Sequence, residues 1–246
     1  MNEILRAEHI AKSYTDKQVL GDISLTLNEG ELVSLLGVSG VGKTTLFNVL
    51  SGLTIPDSGK VYLKNADITG EKGNLSYMLQ KDLLLPHKTV IDNVALPLIL
   101  KGMPKKQARA EAETHFTQFG LDGTEDKYPS QLSGGMRQRA ALLRTYLCGN
   151  SVALLDEPFS ALDTLTRTSV QEWYLKVMEE IKLSTIFITH DIDEAILLSD
   201  RIYIMKGQPA ELSEEIVIKE ARPRSQKFTL TDEFLEYKRQ IMSFLN

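Results

Sequence analysis

The run Gly37-Val38-Ser39-Gly40-Val41-Gly42-Lys43-Thr44-Thr45 packs three glycines, a lysine and two adjacent threonines into nine residues. Glycines let a backbone curl until successive amide N–H groups converge on one anion. The strand-like Glu31-Leu32-Val33-Ser34-Leu35-Leu36 leads into the run, and the helix-like Thr45-Leu46-Phe47-Asn48-Val49-Leu50 leads out of it. A helix N-terminus adds partial positive charge at the mouth of such a loop. Strand, glycine-rich loop and helix in this order are the setting in which a P-loop holds nucleotide phosphates. Lys43 would then reach the β- and γ-phosphates, and the Thr44 hydroxyl would ligate Mg²⁺. The alternative is a glycine-rich turn that binds nothing, which the flanking strand and helix argue against.

Other residues could complete that chemistry. Val152-Ala153-Leu154-Leu155 runs into Asp156-Glu157. Four apolar residues in a row suit a central parallel strand covered on both faces. Asp156 at its tip would hold Mg²⁺, directly or through water. Glu157 could accept a proton from an attacking water. Gln80 ends the strand-like Leu75-Ser76-Tyr77-Met78-Leu79, where it is either solvated or beside Mg²⁺ and the water. His190 follows the apolar Thr185-Ile186-Phe187-Ile188-Thr189. Such a histidine is often inert, but this one falls on the edge where P-loop strands present catalytic groups. Ser133-Gly134-Gly135 opens toward the helical run Ala140 to Leu147. Taken alone it reads better as a capped helix behind a turn than as a second anion cradle. Tyr14, in the polar turn Lys12 to Asp16, either packs or stacks on a base. His9, His87 and His115 lack the company of other metal ligands and receive no role.

The elements that must position these groups alternate between strand and helix. Residues 3–10 and 19–27 read as strands, with Ile23, Leu25 and Leu27 alternating with polar neighbours. Pro56-Asp57-Ser58-Gly59 marks a loop, and Val61-Tyr62-Leu63 a short strand. Ile91 to Leu100 is predicted helical with a kink or stop at Pro97. Pro104 suits the first turn of a second helix, on which Ala108, Ala112, Phe116 and Phe119 recur at helical spacing. Residues 83–140 thus read as a mostly helical lobe inserted into an α/β core. After the turn Ser160-Ala161-Leu162-Asp163, a helix is predicted from Thr166 to Glu180, and further strands over Arg201 to Met205 and Ile216 to Ile218. Arg222-Pro223-Arg224 is extended and basic, and Thr231 could cap a last helix with Phe234, Tyr237, Ile241 and Leu245 on one face.

Composition narrows the classes. The 246 residues suit one large domain or a domain with a lobe. A formal net charge of −5 argues against a nucleic-acid surface. The single Cys148 cannot form an intrachain disulfide, and its apolar surroundings point to the core. The first residues lack the layout of a signal peptide. No apolar run approaches the ~18 residues of a membrane span, so any membrane role runs through a partner.

In sum and order, the aromatic turn, glycine-rich loop, strand-end Gln80, Leu132-Ser133-Gly134-Gly135, Asp156-Glu157, Ala161-Leu162-Asp163 and strand-end His190 resemble the ATP-binding subunit of an ABC transporter. The resemblance covers residues 3–220. It implies an α/β P-loop NTPase of the ABC ATPase type: a RecA-like core with an N-terminal antiparallel β subdomain (residues 1–82 and 141–220), a helical subdomain (83–140) and a C-terminal extension (221–246). It further implies ATP and Mg²⁺ as ligands. Gly37, Val38, Ser39, Gly40, Val41, Gly42, Lys43, Thr44 and Thr45 would hold the phosphates, and Tyr14 the adenine. Thr44, Gln80 and Asp156 would surround the metal. Glu157 would be the general base, and His190 would contact the γ-phosphate. Ser133, Gly134 and Gly135 would grip the ATP of a second copy, with Asp163 crossing the interface of a homodimer.

Leu83-Leu84-Leu85-Pro86, Thr89-Val90 and Asp92-Asn93-Val94-Ala95-Leu96-Pro97-Leu98 are similar to importers of the nitrate/sulfonate/taurine class, although His87 stands where that class often carries Trp. That likeness implies integral membrane permease subunits, docked near residues 83–90. It also implies an extracytoplasmic solute-binding protein and a place on the inner face of the cell membrane. Relatives carry sulfonates, nitrate-like anions and thiamine-precursor pyrimidines. The rival reading is a soluble ABC ATPase without transport, such as an iron–sulfur-assembly ATPase. The short stretch between Lys43 and Ser133 has no room for the coiled coil of the DNA-repair branch.

Overall fold

The computed structural model describes residues 2–245. Short, largely apolar runs make its central layer. β3 (Leu32–Leu36), β7 (Val152–Asp156) and β8 (Ser184–Thr189) are buried along their whole length. They lie in a six-stranded sheet of order β10-β9-β3-β8-β7-β6, where β6 is Ser76–Met78, β9 Arg201–Lys206 and β10 Glu211–Val217. Every pairing is parallel except β9 with β10.

Side-chain alternation sends each central strand into two different cores. Leu32, Leu36, Ala153, Leu155 and Phe187 join a cluster with the helices on one face. Val33, Leu35, Val152, Leu154, Ile186 and Ile188 join a second cluster on the other. A strand covered on both faces has no use for polar alternation, which explains why apolar residues dominate both sides of these strands, with Ser34, Ser184, Thr185 and Thr189 buried among them.

The second cluster is closed by α1 (Lys43–Leu50) and a four-stranded antiparallel sheet. That sheet orders β2 (Lys17–Asn28), β1 (Glu3–Tyr14), β4 (Ser58–Leu63) and β5 (Ala66–Asp67). Leu5, Ile10, Ile23, Leu27 and Val61 face Leu46, Phe47 and Leu50 of the helix. The two sheets are stitched where Gly21 N–H donates to the Ala210 carbonyl at 2.8 Å and Ala210 N–H to the Val19 carbonyl at 2.9 Å.

The first cluster is closed by helices. Between β6 and β7 come α2 (Val90–Val94), α3 (Leu96–Leu100), α4 (Lys105–Glu113) and α5 (Gly134–Tyr146). Beyond β7 come α6 (Thr164–Ile181), α7 (Ile192–Leu198) and α8 (Asp232–Leu245). Asn93, fully buried, ties down the loop before α2: its Oδ1 accepts from Leu85 N–H at 2.6 Å, and its amide donates to the Leu85, Lys88 and Thr89 carbonyls. Among the described residues, no helix is long and apolar enough to cross a membrane.

Five local expectations shift. The turn predicted over Lys12–Asp16 is only Thr15–Asp16, because β1 pairs with β2 as far as Tyr14 and Lys17. The break expected at Pro97 falls at Ala95, and Pro97 sits in the first turn of α3, where its missing N–H does no harm. Phe116 and Phe119 lie past the end of α4, buried through turns rather than on a helix face. α5 begins at Gly134, well before Ala140, so a boundary at 140/141 would cut a continuous helix. Cys148 is only partly buried. Its thiol lies 3.6 Å from the Arg144 carbonyl, and burial raises its pKa.

Candidate nucleotide-binding site

The glycine-rich loop joins β3 to α1, at the ends of the parallel strands where open α/β sheets place their ligands. Two of its glycines are required by contact. A Cβ on Gly37 would stand 2.5 Å from the Met205 carbonyl oxygen, and Gly42 has φ +123° with Val19 and Leu20 pressed against it. Val38, Ser39 and Gly40 are exposed, Val41 is buried and Thr45 is half-buried. The first turn of α1 has no side-chain cap, so its N–H groups remain free for a ligand. Lys43 folds back on its own loop, donating to the Gly37 carbonyl at 2.7 Å and the Val38 carbonyl at 3.0 Å. Burial lowers its pKa, while Glu157 and Asp156 act to raise it.

Asp156 arrives at the tip of β7 with 6% of its surface exposed. Thr44 Oγ1 donates to its Oδ2 at 3.1 Å. Burial raises the Asp156 carboxyl above its usual range, against the Thr44 hydrogen bond, which lowers it. A desolvated carboxylate whose partner is a hydroxyl is a pair of hard oxygens, and this donor set fits Mg²⁺.

Glu157 is held in an unusual backbone state, with φ +45°. A non-glycine residue there costs about 1–3 kcal/mol and persists only where its surroundings enforce it. Here its N–H donates to the Ile188 carbonyl at 3.1 Å, and its carbonyl accepts from Ser160 N–H at 3.2 Å and Ser160 Oγ at 3.0 Å. The bend aims the side chain across the strand ends. Gln80 Nε2 donates to Glu157 Oε2 at 2.9 Å, and His190 Nδ1 lies 3.2 Å from Glu157 Oε1. Gln80, Glu157 and His190 follow β6, β7 and β8, three neighbouring parallel strands. The sequence places them 77 and 33 residues apart; the sheet brings their side chains into contact.

These three line an open cleft of about 810 Å³ whose opposite wall is the start of α5, through Gly134 and Arg137. Ser133 caps that helix: its Oγ accepts from Met136 N–H at 3.3 Å. Gly135 is buried, and a Cβ there would stand 2.9 Å from a Thr166 methyl carbon and 3.2 Å from one of Val170. Within one chain, then, Ser133-Gly134-Gly135 acts as a capped helix packed on α6. Residues 37–45 do not line this cleft. Asp163 caps α6 through Thr166 N–H at 3.1 Å, and its hydrogen bonds to Thr166 hold its carboxyl below the usual range.

Tyr14 ends β1 with its ring 45% exposed, on a hairpin whose Val19 rests against Gly42. Lys12 lies 5.7 Å over that ring and pairs with Asp57 at 2.7 Å, while Asp57 also accepts from Ser13 N–H at 2.6 Å. Lys12 first, then Ser13, holds the Asp57 carboxyl below its usual range. The sequence hides this clasp because its partners lie 44 and 45 residues apart.

Other missed residues are Ser160, Arg137 and Glu194. Arg137 lies 3.3 Å from Asp82. Glu194 reads as an ordinary first-turn acid, yet it is buried, accepts from Gln171 at 2.8 Å, and is pushed up to about 7 by desolvation. His9 pairs with Asp22 at 2.9 Å on the surface, and His115 packs its ring edge on Tyr146, both away from these residues.

Residues 20–160 match the ABC transporter family. The formylaminopyrimidine import ATP-binding protein ThiZ of Halalkalibacterium halodurans is 44% identical over 85% of this chain and 82% of its own length. The sulfate/thiosulfate import ATP-binding protein CysA of Gloeobacter violaceus is 39% identical over 86% of this chain and 62% of its own. A solved dimeric ATP-binding cassette, in a post-hydrolysis state with ADP and Pi, superposes with a TM-score of 0.76 at 29% identity, covering 89% of this chain and all of that one. The fold and the ATP-binding family agree with the resemblance drawn from the motifs, and the chain belongs to the ABC transporter family as an ATP-binding subunit with ATPase chemistry.

Proposed function

We propose that this chain is the ATP-hydrolysing subunit of an importer and works as a two-fold dimer beneath a membrane permease. The observation that carries the hydrolytic part is the junction of Gln80, Glu157 and His190 at adjacent strand ends, next to the Thr44–Asp156 pair. Residues 37–45 cradle the phosphates, and Lys43 exchanges its two loop carbonyls for phosphate oxygens. Tyr14 stacks on the adenine. Thr44, Asp156 and Gln80 hold Mg²⁺, which when bound neutralises charge on the β- and γ-phosphates. Glu157 takes a proton from water as the water oxygen bonds to the γ-phosphorus and the bond to the ADP oxygen breaks. Gln80 orients that water, and His190 contacts the γ-phosphate.

The dimer follows from the two glycine-opened helices. Gly134 lines a cleft that residues 37–45 of the same chain do not line, which supports Ser133, Gly134 and Gly135 gripping the nucleotide of a second copy. Asp163 then crosses the interface. A two-fold axis gives two equal sites. ATP favours the closed pair, and loss of the γ-phosphate contacts reopens it.

Docking to the permease is assigned to residues 83–90 and the adjoining apolar groove of Leu79, Leu83, Leu96, Pro97 and Leu100, about 440 Å³ in volume. Residues 83–140 act as the lobe that carries this surface. The import relatives support a small anionic or heteroaromatic solute of the sulfonate, nitrate or thiamine-precursor kind, delivered by an extracytoplasmic binding protein. The chain then sits at the inner face of the membrane, without nucleic acid. Pull-down of the tagged chain from its native cells in gentle detergent tests this. A multi-span permease and a solute-binding protein support the importer; soluble scaffold partners alone would favour the iron–sulfur-assembly reading.

A further inference from the structure

The C-terminal extension grips the helix that follows His190. α7 has only seven residues, too few to be stable or oriented by itself. Arg224 clasps its C-terminal end. This arginine is 5% exposed, and its Nη1 donates to the carbonyls of Ile196 at 3.1 Å, Leu197 at 3.3 Å and Ser199 at 2.7 Å, while Nε donates to Glu220 at 2.8 Å. Those are carbonyls that a helix end leaves unpaired, and a cation there also complements the helix dipole. At the other end, Lys238 of α8 meets Asp193 in the first turn of α7 at 2.6 Å. Between the two grips, Phe228, Phe234 and Ile241 join Ala195, Ile196 and Leu198 in one buried cluster.

His190 lies just upstream of this clamped helix. Its neighbour Asp191 caps α7, accepting from Asp193 N–H at 2.9 Å and Glu194 N–H at 3.1 Å. Asp191 N–H donates in turn to Thr189 Oγ1 at 3.0 Å, at the end of β8. The His190 backbone is therefore strung between a sheet strand and the cap of α7. The imidazole is itself half-exposed, so its direction toward Glu157 depends on that backbone.

We propose that Arg224 and Lys238 are positioning residues for hydrolysis: the C-terminal extension clamps both ends of α7 and so holds His190 against Glu157. The inference rests on the reading of His190 as a site residue. A displacement of about 1 Å in such a group is enough to lower a rate by about 100-fold. A loosened α7 should therefore lower turnover without weakening ATP binding at the phosphate loop, which α7 does not hold.

The test uses the full-length chain, with two readouts. One is the His190 ring carbon–proton resonance at fixed pH, assigned among the four histidines by His190→Gln. The other is ATP turnover per nucleotide bound. Arg224→Met should lower kcat about tenfold and Lys238→Met about threefold, with KM within about twofold of wild type. Both should move the His190 resonance, and Lys238→Arg should restore it. Lys238 is partly exposed, so its variant folds even if Arg224→Met does not. An unmoved resonance and wild-type turnover in Lys238→Met would overturn the proposal and leave the extension as packing. Wild-type turnover in His190→Gln would instead remove His190 from the site, whatever the clamp does.

Discussion

Two helices in this protein open on glycines, and they use them differently. α1 begins behind Gly42 without a side-chain cap, its N–H groups free and its lysine turned back on loop carbonyls. α5 begins behind Ser133, whose hydroxyl already caps Met136 N–H, and its Gly135 is spent on close approach to α6. Glycine content alone does not make an anion site. What separates the two is whether the first turn is satisfied from within the chain. The α1 mouth is left open for a ligand; the α5 mouth is a capped packing joint against α6, and its proposed role toward a second copy's nucleotide rests on its exposed rim.

Removing the charge at the α1 mouth should break that contrast most sharply. Lys43→Ala should weaken ATP binding by about 100-fold or more, the value of two charge-assisted phosphate contacts, with little loss of folding stability. Equilibrium binding by calorimetry checks this; unchanged affinity would reassign the loop.

Adding a methyl to each mouth separates them next. Gly37→Ala drives a Cβ into a backbone carbonyl and should abolish ATP binding by a single chain. Gly135→Ala meets only side-chain methyls, so it should cost about 1–3 kcal/mol of stability and leave single-chain ATP affinity intact. Thr166→Ser removes one of those methyls and should recover part of the loss. Thermal melts with and without ATP distinguish these outcomes.

The strand-end edge also differs from the α5 mouth in having buried carboxylates, Asp156 and Glu194, at or just behind it. Glu194 is pushed up to about 7 from an ordinary value near 4.5. Between those values the folded state binds a proton that the unfolded state has released, so stability falls as pH rises from 4.5 toward 7. Glu194→Gln should remove that slope and raise stability at pH 8 by about 1–3 kcal/mol. Denaturant midpoints measured across pH would show it, and an unchanged slope would mean that Glu194 stays charged when folded.

The smallest effect belongs to the cap. Ser133→Ala should cost about 1 kcal/mol of stability. Any loss of ATP affinity should appear only where two copies meet, which binding measured at dilute and at concentrated protein resolves.

Much of this arrangement is legible in the sequence because its physics is local. β3, β7 and β8 announce themselves as short, largely apolar runs without polar alternation, as strands buried on both faces require. The phosphate loop carries its glycines, lysine and flanking elements in one stretch. What stays hidden depends on distant partners. Asp57 looks like a turn residue until Lys12 and Ser13 meet it. Arg224 looks like part of an exposed basic segment, yet its carbonyl partners on α7 lie 25 to 28 residues back. Glu194 looks solvated because no sequence pattern reports the Gln171 amide or the burial around it. One helix end slipped by a local effect: α2 closes at Ala95, two residues before Pro97, whose missing N–H cannot continue the ladder.

The most direct measurement of the central claim is sedimentation of the Glu157→Gln chain with and without ATP, paired with its turnover. The account predicts a two-copy species that forms only with ATP, and hydrolysis slowed about 100-fold or more, as the loss of a general base requires. ATP-bound single copies, or turnover at the wild-type rate, would contradict it.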